Sequence, residues 1–590
     1  MLQRLKKRKH VNRLALTPRA AAKLEILPEN LLVGSASEIL LRNWHSCGLF
    51  IVIGSVGAVT RLVAPLLESK DDDPAVVVID AKGLNVVPLI GGHKRGAEDL
   101  AIVLAEELGG KSVITSNSNS QEYLPLDSFG DAWGWKRAGK KSDWHQLMLN
   151  QASQENLRVE QLSGTKLWMA SKAAEKSLKV NKSNDSCQLK TLSIGPKKNH
   201  DCCWHPATLW IGIGCERNTS ENLLERALVN ALEDVCLAKE AVAGLVSIDL
   251  KVDEPALLAV AKRHDWTMRF LNVETLANVS VPNPSEVVKA AIGTPSVAEA
   301  SALFMAGQNG SLLRQKHVYS ALPDEMGGAT IAIAESKKPF APKRGELHLI
   351  GSGPGDLAYL TNDARFALAR SAIWIGYKRY LDLLEPMRRF DQVRVDGELT
   401  LEIDRCKKAL DLSIQGVRVA LISSGDSGIY GMAGLALELW LDQPEDDRPI
   451  FNVHPGISAV QVAAARVGAP LMNDFCTISL SNKLTPWSVI KNRLKGALIG
   501  DFVIAIYNPK SLDRHWQLGD ALKIIQEYRE ANTPVVLARQ LGRSDEEVLI
   551  YNLKNLPQEK VDMLTILLIG NSKSLLKDGS FFTPRGYLSI

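Results

Sequence analysis

Glycines at 425, 428, 431 and 434 punctuate the stretch Leu421-Ile-Ser-Ser-Gly-Asp-Ser-Gly-Ile-Tyr-Gly-Met-Ala-Gly434, and Asp426 and Tyr430 stand among them. The apolar run 417–422, broken only by Arg418, stops abruptly at this polar turn. The pattern predicts a buried strand emptying into a loop that bends sharply and lets something come close. Ligands of open α/β sheets sit beyond the carboxyl ends of strands, so this loop is a candidate floor for a site. Taken alone, the same glycines could serve only a strand–helix turn.

A second glycine loop, Gly351-Ser-Gly-Pro-Gly-Asp356, follows a predicted strand at 346–350. It invites a dinucleotide reading and fails it twice. The third glycine comes one place early, and the next strand, Trp374-Ile-Gly-Tyr-Lys378, ends without an acid to hold a ribose hydroxyl. Pro354 also removes a backbone donor and stiffens the turn, unlike a cradle that grips phosphate through its N–H groups. The loop is therefore built for close approach, not for pyrophosphate.

These loops need a scaffold, and 590 residues are too many for one core. Strand and helix patterns alternate, so the expected class is α/β, with small domains in front and a larger two-lobed unit behind. The expected order is a basic tail and lead-in at 1–46, a small parallel α/β unit at 47–120, a middle segment of unassigned fold at 121–206, a second α/β unit at 207–334, a linker at 335–345, and a last region at 346–590 with its lobes divided near 455. Composition is ordinary: 45% hydrophobic, 23% charged, formal net charge +4. No apolar run approaches the roughly 18 residues of a membrane span, and no cleavable leader is visible. Eight cysteines in so long a chain imply no disulfide framework, and a cytoplasmic location is expected. His200-Asp-Cys-Cys-Trp-His205 has ligand types that suit zinc, but adjacent cysteines lack the usual separation, and no metal is expected. No ladder of basic and aromatic residues points to nucleic acid.

Gly353-Pro-Gly-Asp356, Ser424-Gly-Asp-Ser-Gly-Ile-Tyr430, Pro455-Gly-Ile-Ser-Ala459 and Ile506-Tyr-Asn-Pro509, in this order, resemble the tetrapyrrole (precorrin) methyltransferases. Gly376-Tyr-Lys-Arg-Tyr380, Asp474-Phe-Cys-Thr-Ile-Ser-Leu480, Leu484-Thr-Pro-Trp487 and Asn508-Pro-Lys-Ser511 narrow the resemblance to the precorrin-3B C-17-methyltransferases, which methylate and contract the macrocycle in cobalamin synthesis. The resemblance implies S-adenosylmethionine folded between the lobes and a homodimer formed through this region. Pro354, Gly425, Asp426 and Ile429 would line the cofactor. Ser458 and Ala459 would face its amino-acid end, and Asn508, Leu564 and Thr565 its adenine side. Where the family often has proline after the loop aspartate, this chain has Ser427. Ring contraction needs proton management, for which Asp356 and Tyr430 are candidates; their plain alternatives are a helix-capping aspartate and a packed aromatic. Lys378, Arg379, Lys483 and Arg493 could meet substrate carboxylates or simply be solvated.

Two further groups of motifs resemble cobalt-precorrin-5A hydrolase, which opens the lactone left by ring contraction and releases acetaldehyde. Gly54-Ser-Val-Gly57 with the following helix, Asp73-Pro-Ala-Val-Val-Val78 and Gly91-Gly-His93 look like its amino-terminal domain. Gly212-Ile-Gly-Cys-Glu-Arg217, Ser247-Ile-Asp-Leu-Lys251 with Glu254, Pro282-Asn-Pro-Ser-Glu286, Gly293-Thr-Pro-Ser-Val-Ala-Glu299 and Gly327-Gly-Ala-Thr330 look like its carboxyl-terminal domain. Glu98 stands where that family usually has asparagine, and 115–120 depart from its pattern. His93 is a candidate acid or base near neutral pH. Glu254 is a candidate for positioning water, and Arg217 and Lys251 for binding acetates. A front half that only holds the macrocycle is the alternative reading.

Overall fold

The computed structural model describes residues 14–16, 35–69, 72–92, 96–115, 123–153, 157–178, 191–198, 200–398, 401–511 and 514–587. The first sheet holds β1 (Leu14–Leu16), β2 (Leu49–Ile53), β3 (Ala75–Ile79), β4 (Asn85–Ile90) and β5 (Lys111–Ser112), in that order. The expected unit was wholly parallel, but β3 and β4 are antiparallel. The turn between them explains the difference: the Asp80 carboxylate accepts the N–H groups of Lys82, Leu84 and Asn85 at 2.9, 3.1 and 2.8 Å. A side chain that caps its own turn this way folds the strand straight back.

The middle segment forms a four-stranded sheet of β6 (Lys136–Ala138), β7 (Arg158–Gln161), β8 (Thr191–Ile194) and β9 (Cys202–His205), ordered β6-β9-β8-β7. Tryptophans 133, 135, 144, 168 and 204 are buried in it. The indoles of Trp168 and Trp204 donate to Gln161 Oε1 and Leu126 C=O, both at 2.9 Å, so these two rings enter the core with their N–H groups satisfied, whereas Trp135 Nε1 has no partner among the described residues. Cys202 and Cys203 are buried on β9, His205 faces the Gly195 carbonyl and His200 faces Glu160. Among the described residues, no group of three or more His, Cys, Asp or Glu could hold a metal ion.

The third sheet contains β10 (Leu209–Cys215), β11 (Val242–Ile248), β12 (Thr267–Leu271), β13 (Ser311–Ser320) and β14 (Gly328–Glu335), ordered β12-β11-β10-β14-β13. Pro255 begins the helix Pro255–His264, where its missing N–H costs nothing. Ser220 sits at the cap of helix Glu221–Glu233 as expected, but its hydroxyl accepts from Met326 N–H and not from the helix. Residues 335–345 are firmly held. Phe340 N–H donates to Ala207 C=O, Ala341 N–H to Ile414 C=O, and the Phe340 ring lies 5.3 Å from Trp210.

The first lobe of the last region is a parallel sheet of β15 (Glu346–Gly351), β16 (Ile373–Tyr377), β17 (Val393–Gly397), β18 (Arg418–Ser423) and β19 (Ile450–His454), ordered β17-β16-β18-β15-β19. Its core is continuous with that of the middle segment. Ala173 N–H donates to Phe390 C=O and Lys172 pairs with Glu385, tying the two together beside β17. The short β20 (Gly468–Ala469) precedes the second lobe's mixed sheet, β21 (Phe475–Ser479), β22 (Val503–Tyr507), β23 (Pro534–Arg539), β24 (Glu547–Asn552) and β25 (Thr565–Ile569), ordered β21-β22-β25-β23-β24. No described helix is long and apolar enough to cross a membrane.

Candidate active site between the two lobes

Three glycine turns converge at the carboxyl ends of β15, β18 and β19. Gly353 and Gly425 exchange backbone hydrogen bonds, N–H to C=O, at 3.1 and 2.8 Å, and both have positive φ, +74° and +65°. A Cβ on Gly456 would lie 2.0 Å from Gly425 O, and one on Gly351 2.6 Å from Gly456 N. Only glycine allows this backbone-to-backbone closure. Asp426 locks it, because its carboxylate accepts Gly428 N–H at 2.8 Å and Gly456 N–H at 3.0 Å. Ser427 is fully buried in the same loop, and its hydroxyl has no hydrogen-bond partner among the described residues.

The second lobe forms the opposite wall. A Cβ on Gly355 would lie 2.5 Å from Gly542 O and 2.8 Å from Arg543 Cγ, so the 353–356 turn rests on the turn after β23. Pro354 packs in that contact. Asn508, at φ +50°, donates from its amide to Ser479 Oγ at 3.1 Å. Asp562 accepts from Leu564 N–H at 2.9 Å and Thr565 Oγ1 at 2.8 Å, and pairs with Arg539 at 2.7 Å. Burial works against its charge, yet Arg539 and these hydrogen bonds prevail and hold its carboxyl below the usual range.

Ser458 and Ala459 open the helix Ala459–Val467, but Ser458 is buried and spends its hydroxyl on Tyr507 Oη at 2.5 Å. Tyr507 Oη also accepts Val460 N–H at 3.1 Å, and burial raises this phenol's pKa. Ile429 and Tyr430 are half-exposed at the mouth. Tyr430 lies in the left-handed region, φ +55°, with its ring 5.2 Å from Tyr507.

The other expected residues scatter more widely. Asp356 caps the short turn Leu357–Tyr359 by accepting Ala358 N–H at 2.8 Å, the plain alternative for this residue. Lys378 and Arg379 are exposed, and Lys378 lies 3.8 Å from Asp382 in its own helix. Lys483 is exposed, and Arg493 lines a hollow with Cys476, Ile478 and Phe502 behind the edge strand β21. Sequence reasoning passed over Tyr507, although it lies inside the Ile506–Pro509 motif. It also passed over Arg543, which follows Gly542 and has no ion-pair partner among the described residues. Burial raises the pKa of Tyr380, and the charge of Arg543, from the other lobe, works against that rise.

In the front half, Arg217, Lys251 and Glu254 come together beyond the ends of β10 and β11. Glu254 is 1% exposed; its Oε1 accepts Asn218 N–H at 3.0 Å, and its Oε2 faces Arg217 and Lys251, each at 3.8 Å. Arg217 is further held by Asp253 and the Leu250 carbonyl, both at 2.6 Å. Cys215 sits beside them, its thiol pushed up to about 11 by burial. Leu250, Val252 and Met326 expose apolar surface from the adjoining loops. His93 lies outside the described residues. Glu98 is buried, with its carboxylate against Gly92.

Residues 346–557 match the family described as tetrapyrrole (corrin/porphyrin) methylases. Residues 38–119 match cobalamin synthesis G N-terminal, and 209–334 match cobalamin synthesis G C-terminus. The precorrin-3B C(17)-methyltransferase of a Sinorhizobium species is 38% identical over 249 residues, which cover 41% of this chain and 97% of that protein. The cobalt-factor III methyltransferase of Priestia megaterium is 42% identical over 246 residues, again 41% of this chain but 45% of that longer protein. The crystal structure of the methyltransferase CobJ aligns over 41% of this chain and all of that one, with 32% identity and a TM-score of 0.39. The chain belongs to the tetrapyrrole methylase family, and the two regions that match cobalamin synthesis G lie ahead of the methylase region.

Proposed function

We propose that this chain performs two steps of cobalamin biosynthesis. The back half methylates C-17 of precorrin-3B or cobalt-factor III, with ring contraction and lactone formation. The front half opens the lactone of cobalt-precorrin-5A and releases acetaldehyde. One observation carries the reading: a methylase matching the precorrin-3B C(17)-methyltransferase and both parts of cobalamin synthesis G stand on one chain. A lactone-opening unit beside the unit that forms the lactone is coherent chemistry.

S-adenosylmethionine supplies the methyl group from its sulfonium and leaves as S-adenosylhomocysteine. The cleft suits such a ligand. The closed glycine turns let backbone come near it, the buried Ser427 hydroxyl lacks a partner among the described residues, and Ile429 offers an apolar edge. Pro354, Gly425, Asp426 and Ile429 would hold it from the first lobe, Asn508, Leu564 and Thr565 from the second, and Ala459 at the helix start. Methyl transfer of this kind depends on orientation and charge more than on a strong base. Asp426 orients the floor of the cleft, Arg543 meets a carboxylate of the macrocycle, and Tyr430 holds the mouth and can exchange a proton with the substrate. In the front half Lys251 and Arg217 draw substrate carboxylates, and Glu254 keeps those two cations in place. Exposed Phe475 and Ile499 on the second lobe favour a homodimer. The thiols of Cys203, Cys215, Cys236, Cys406 and Cys476 form no disulfide, which fits a cytoplasmic setting.

The test supplies the full chain with the cobalt macrocycle and S-adenosylmethionine and follows products by mass spectrometry. One added methyl is expected. Cobalt-precorrin-5A, supplied separately, is expected to yield acetaldehyde. Folded protein that adds no methyl removes the first activity, and absence of acetaldehyde leaves the front half as a binding unit.

A further inference from the structure

Four buried or half-buried groups form a line beneath the Pro455–Ser458 turn. Asp363 Oδ2 lies 2.7 Å from His454 Nδ1, His454 Nε2 lies 3.0 Å from His348 Nδ1, and His348 Nε2 lies 3.0 Å from Glu346 Oε2. His348 is 3% and His454 8% exposed. Each contact joins two atoms with lone pairs, so each needs one proton. Two neutral imidazoles supply only two protons for three contacts, whichever tautomers they adopt.

The third proton must therefore rest on a carboxylate or make one ring an imidazolium. Glu346 is an unsuitable home for it, because Arg370 and Arg418 lie 2.6 and 3.2 Å from its other oxygen. Asp363 stands in the first turn of helix Asn362–Arg370, where the helix dipole favours an anion. Burial lowers the pKa of His348. That leaves His454. Among the described residues, the charged groups facing the pair are Glu346 on β15, Asp363 and Arg370 on this helix, and Arg418 on β18.

We propose that the His348–His454 pair carries one extra proton and that this proton positions the Pro455–Ser458 turn of the cleft. The turn follows His454 directly. Thr361, which caps the Asp363 helix, donates to Pro455 C=O at 3.0 Å, and Gly456 N–H is the group that Asp426 holds. Loss of the proton leaves two lone pairs facing each other at one of the three contacts, and the helix start and the turn part. His454 and His348 are thus positioning residues that act through Asp426 and Ser458. The proposal rests on the reading of this cleft as the methyl-donor site.

The full chain labelled with 15N-histidine reports the proton directly by NMR, with His348→Gln and His454→Gln for assignment. One doubly protonated ring in the pair at pH 7 is expected; two neutral rings overturn the proposal whatever the cleft binds. Titration calorimetry with S-adenosylhomocysteine then reads the consequence. Affinity is expected to fall about tenfold or more as the ring deprotonates, the size of one charge-assisted hydrogen bond. Asp363→Asn is the decisive variant. Its amide N–H supplies the missing proton to neutral His454, so binding should persist and lose its pH dependence. An unchanged pH profile in Asp363→Asn overturns the proposal. Failure of S-adenosylhomocysteine to bind at every pH sinks the donor-site reading instead, and the NMR result still decides the proton.

Discussion

Tyr430 Oη donates to Thr477 Oγ1 at 3.3 Å, so the loop after β18 in the first lobe reaches across to the edge strand of the second. The residue holds this bridge from φ +55°, a conformation that costs a side-chain-bearing residue about 1–2 kcal/mol. Such strain persists where the surrounding structure enforces it, often at a site of function. Tyr430→Gly should therefore leave the melting temperature unchanged or slightly raised, since the ring is half-exposed. The same change should lower methyl transfer about tenfold or more, as expected for a residue that orients or protonates substrate. Tyr430→Phe keeps the ring stack and should lose less. Melting curves read alongside single-turnover methylation separate the two effects.

Asp426 links two turns with a single carboxylate, and neither link survives its removal. Asp426→Asn retains only one carbonyl oxygen and presents an N–H to the other donor. The loss of one charge-assisted hydrogen bond, about 1.5–3 kcal/mol, corresponds to roughly 10- to 150-fold weaker binding of S-adenosylhomocysteine. Calorimetry on the full chain measures it. Affinity within twofold of the parent would show that the turn is ordered without Asp426.

The loops that build this cleft are legible in the sequence because their glycines are steric requirements, as at 353, 425 and 456. Central strands are equally plain: β18 and β22 read as continuous apolar runs since both their faces are covered. Edge strands were not. Strand β17 carries Arg394 and Asp396, β24 begins at Glu547, and β19 pairs, among the described strands, only with β15 and is largely half-exposed, so their apolar signal is weak. The middle segment was unreadable for a related reason. Its tryptophans come from separate stretches and share a core with the first lobe, so no local period records it. The proton line is also silent in the sequence, because Asp363, His348 and His454 meet only through the parallel pairing of β15 with β19 and the placement of one helix.

Glu254 sits among cations in the front half, and its charge should matter to one activity alone. Glu254→Gln keeps an acceptor for Asn218 N–H but removes the anion between Arg217 and Lys251. The two cations then repel and lose their fixed positions. Acetaldehyde release from cobalt-precorrin-5A should fall about 10²-fold, the scale of a lost positioned acid–base or charge group. Methyl transfer in the same preparation should be unaltered, and that internal control rules out misfolding. Equal losses in both assays would mean that the two halves do not act separately.

Glu346 gives the first lobe a defined response to acid. Burial alone would raise its pKa, but the hydrogen bond from His348 and the charges of Arg370 and Arg418 outweigh burial and set it at about 2. The unfolded chain has an ordinary carboxyl near 4.3. A depressed folded value contributes stability that is complete above the unfolded pKa and is lost as pH falls through the folded one. The window is therefore pH 4.5 down to about 2, and the contribution is about 3 kcal/mol. A chain with several cores does not unfold in one step, so local opening is the proper readout. Hydrogen exchange in peptides covering β15 and β19 should accelerate in the parent, relative to its intrinsic rate, as pH drops through this window. Glu346→Gln should exchange faster than the parent at neutral pH, because Arg370 and Arg418 lose their anion, and the difference should vanish near pH 2. A gap of constant size from neutral to acid pH would mean that this carboxylate is not what holds the strands together.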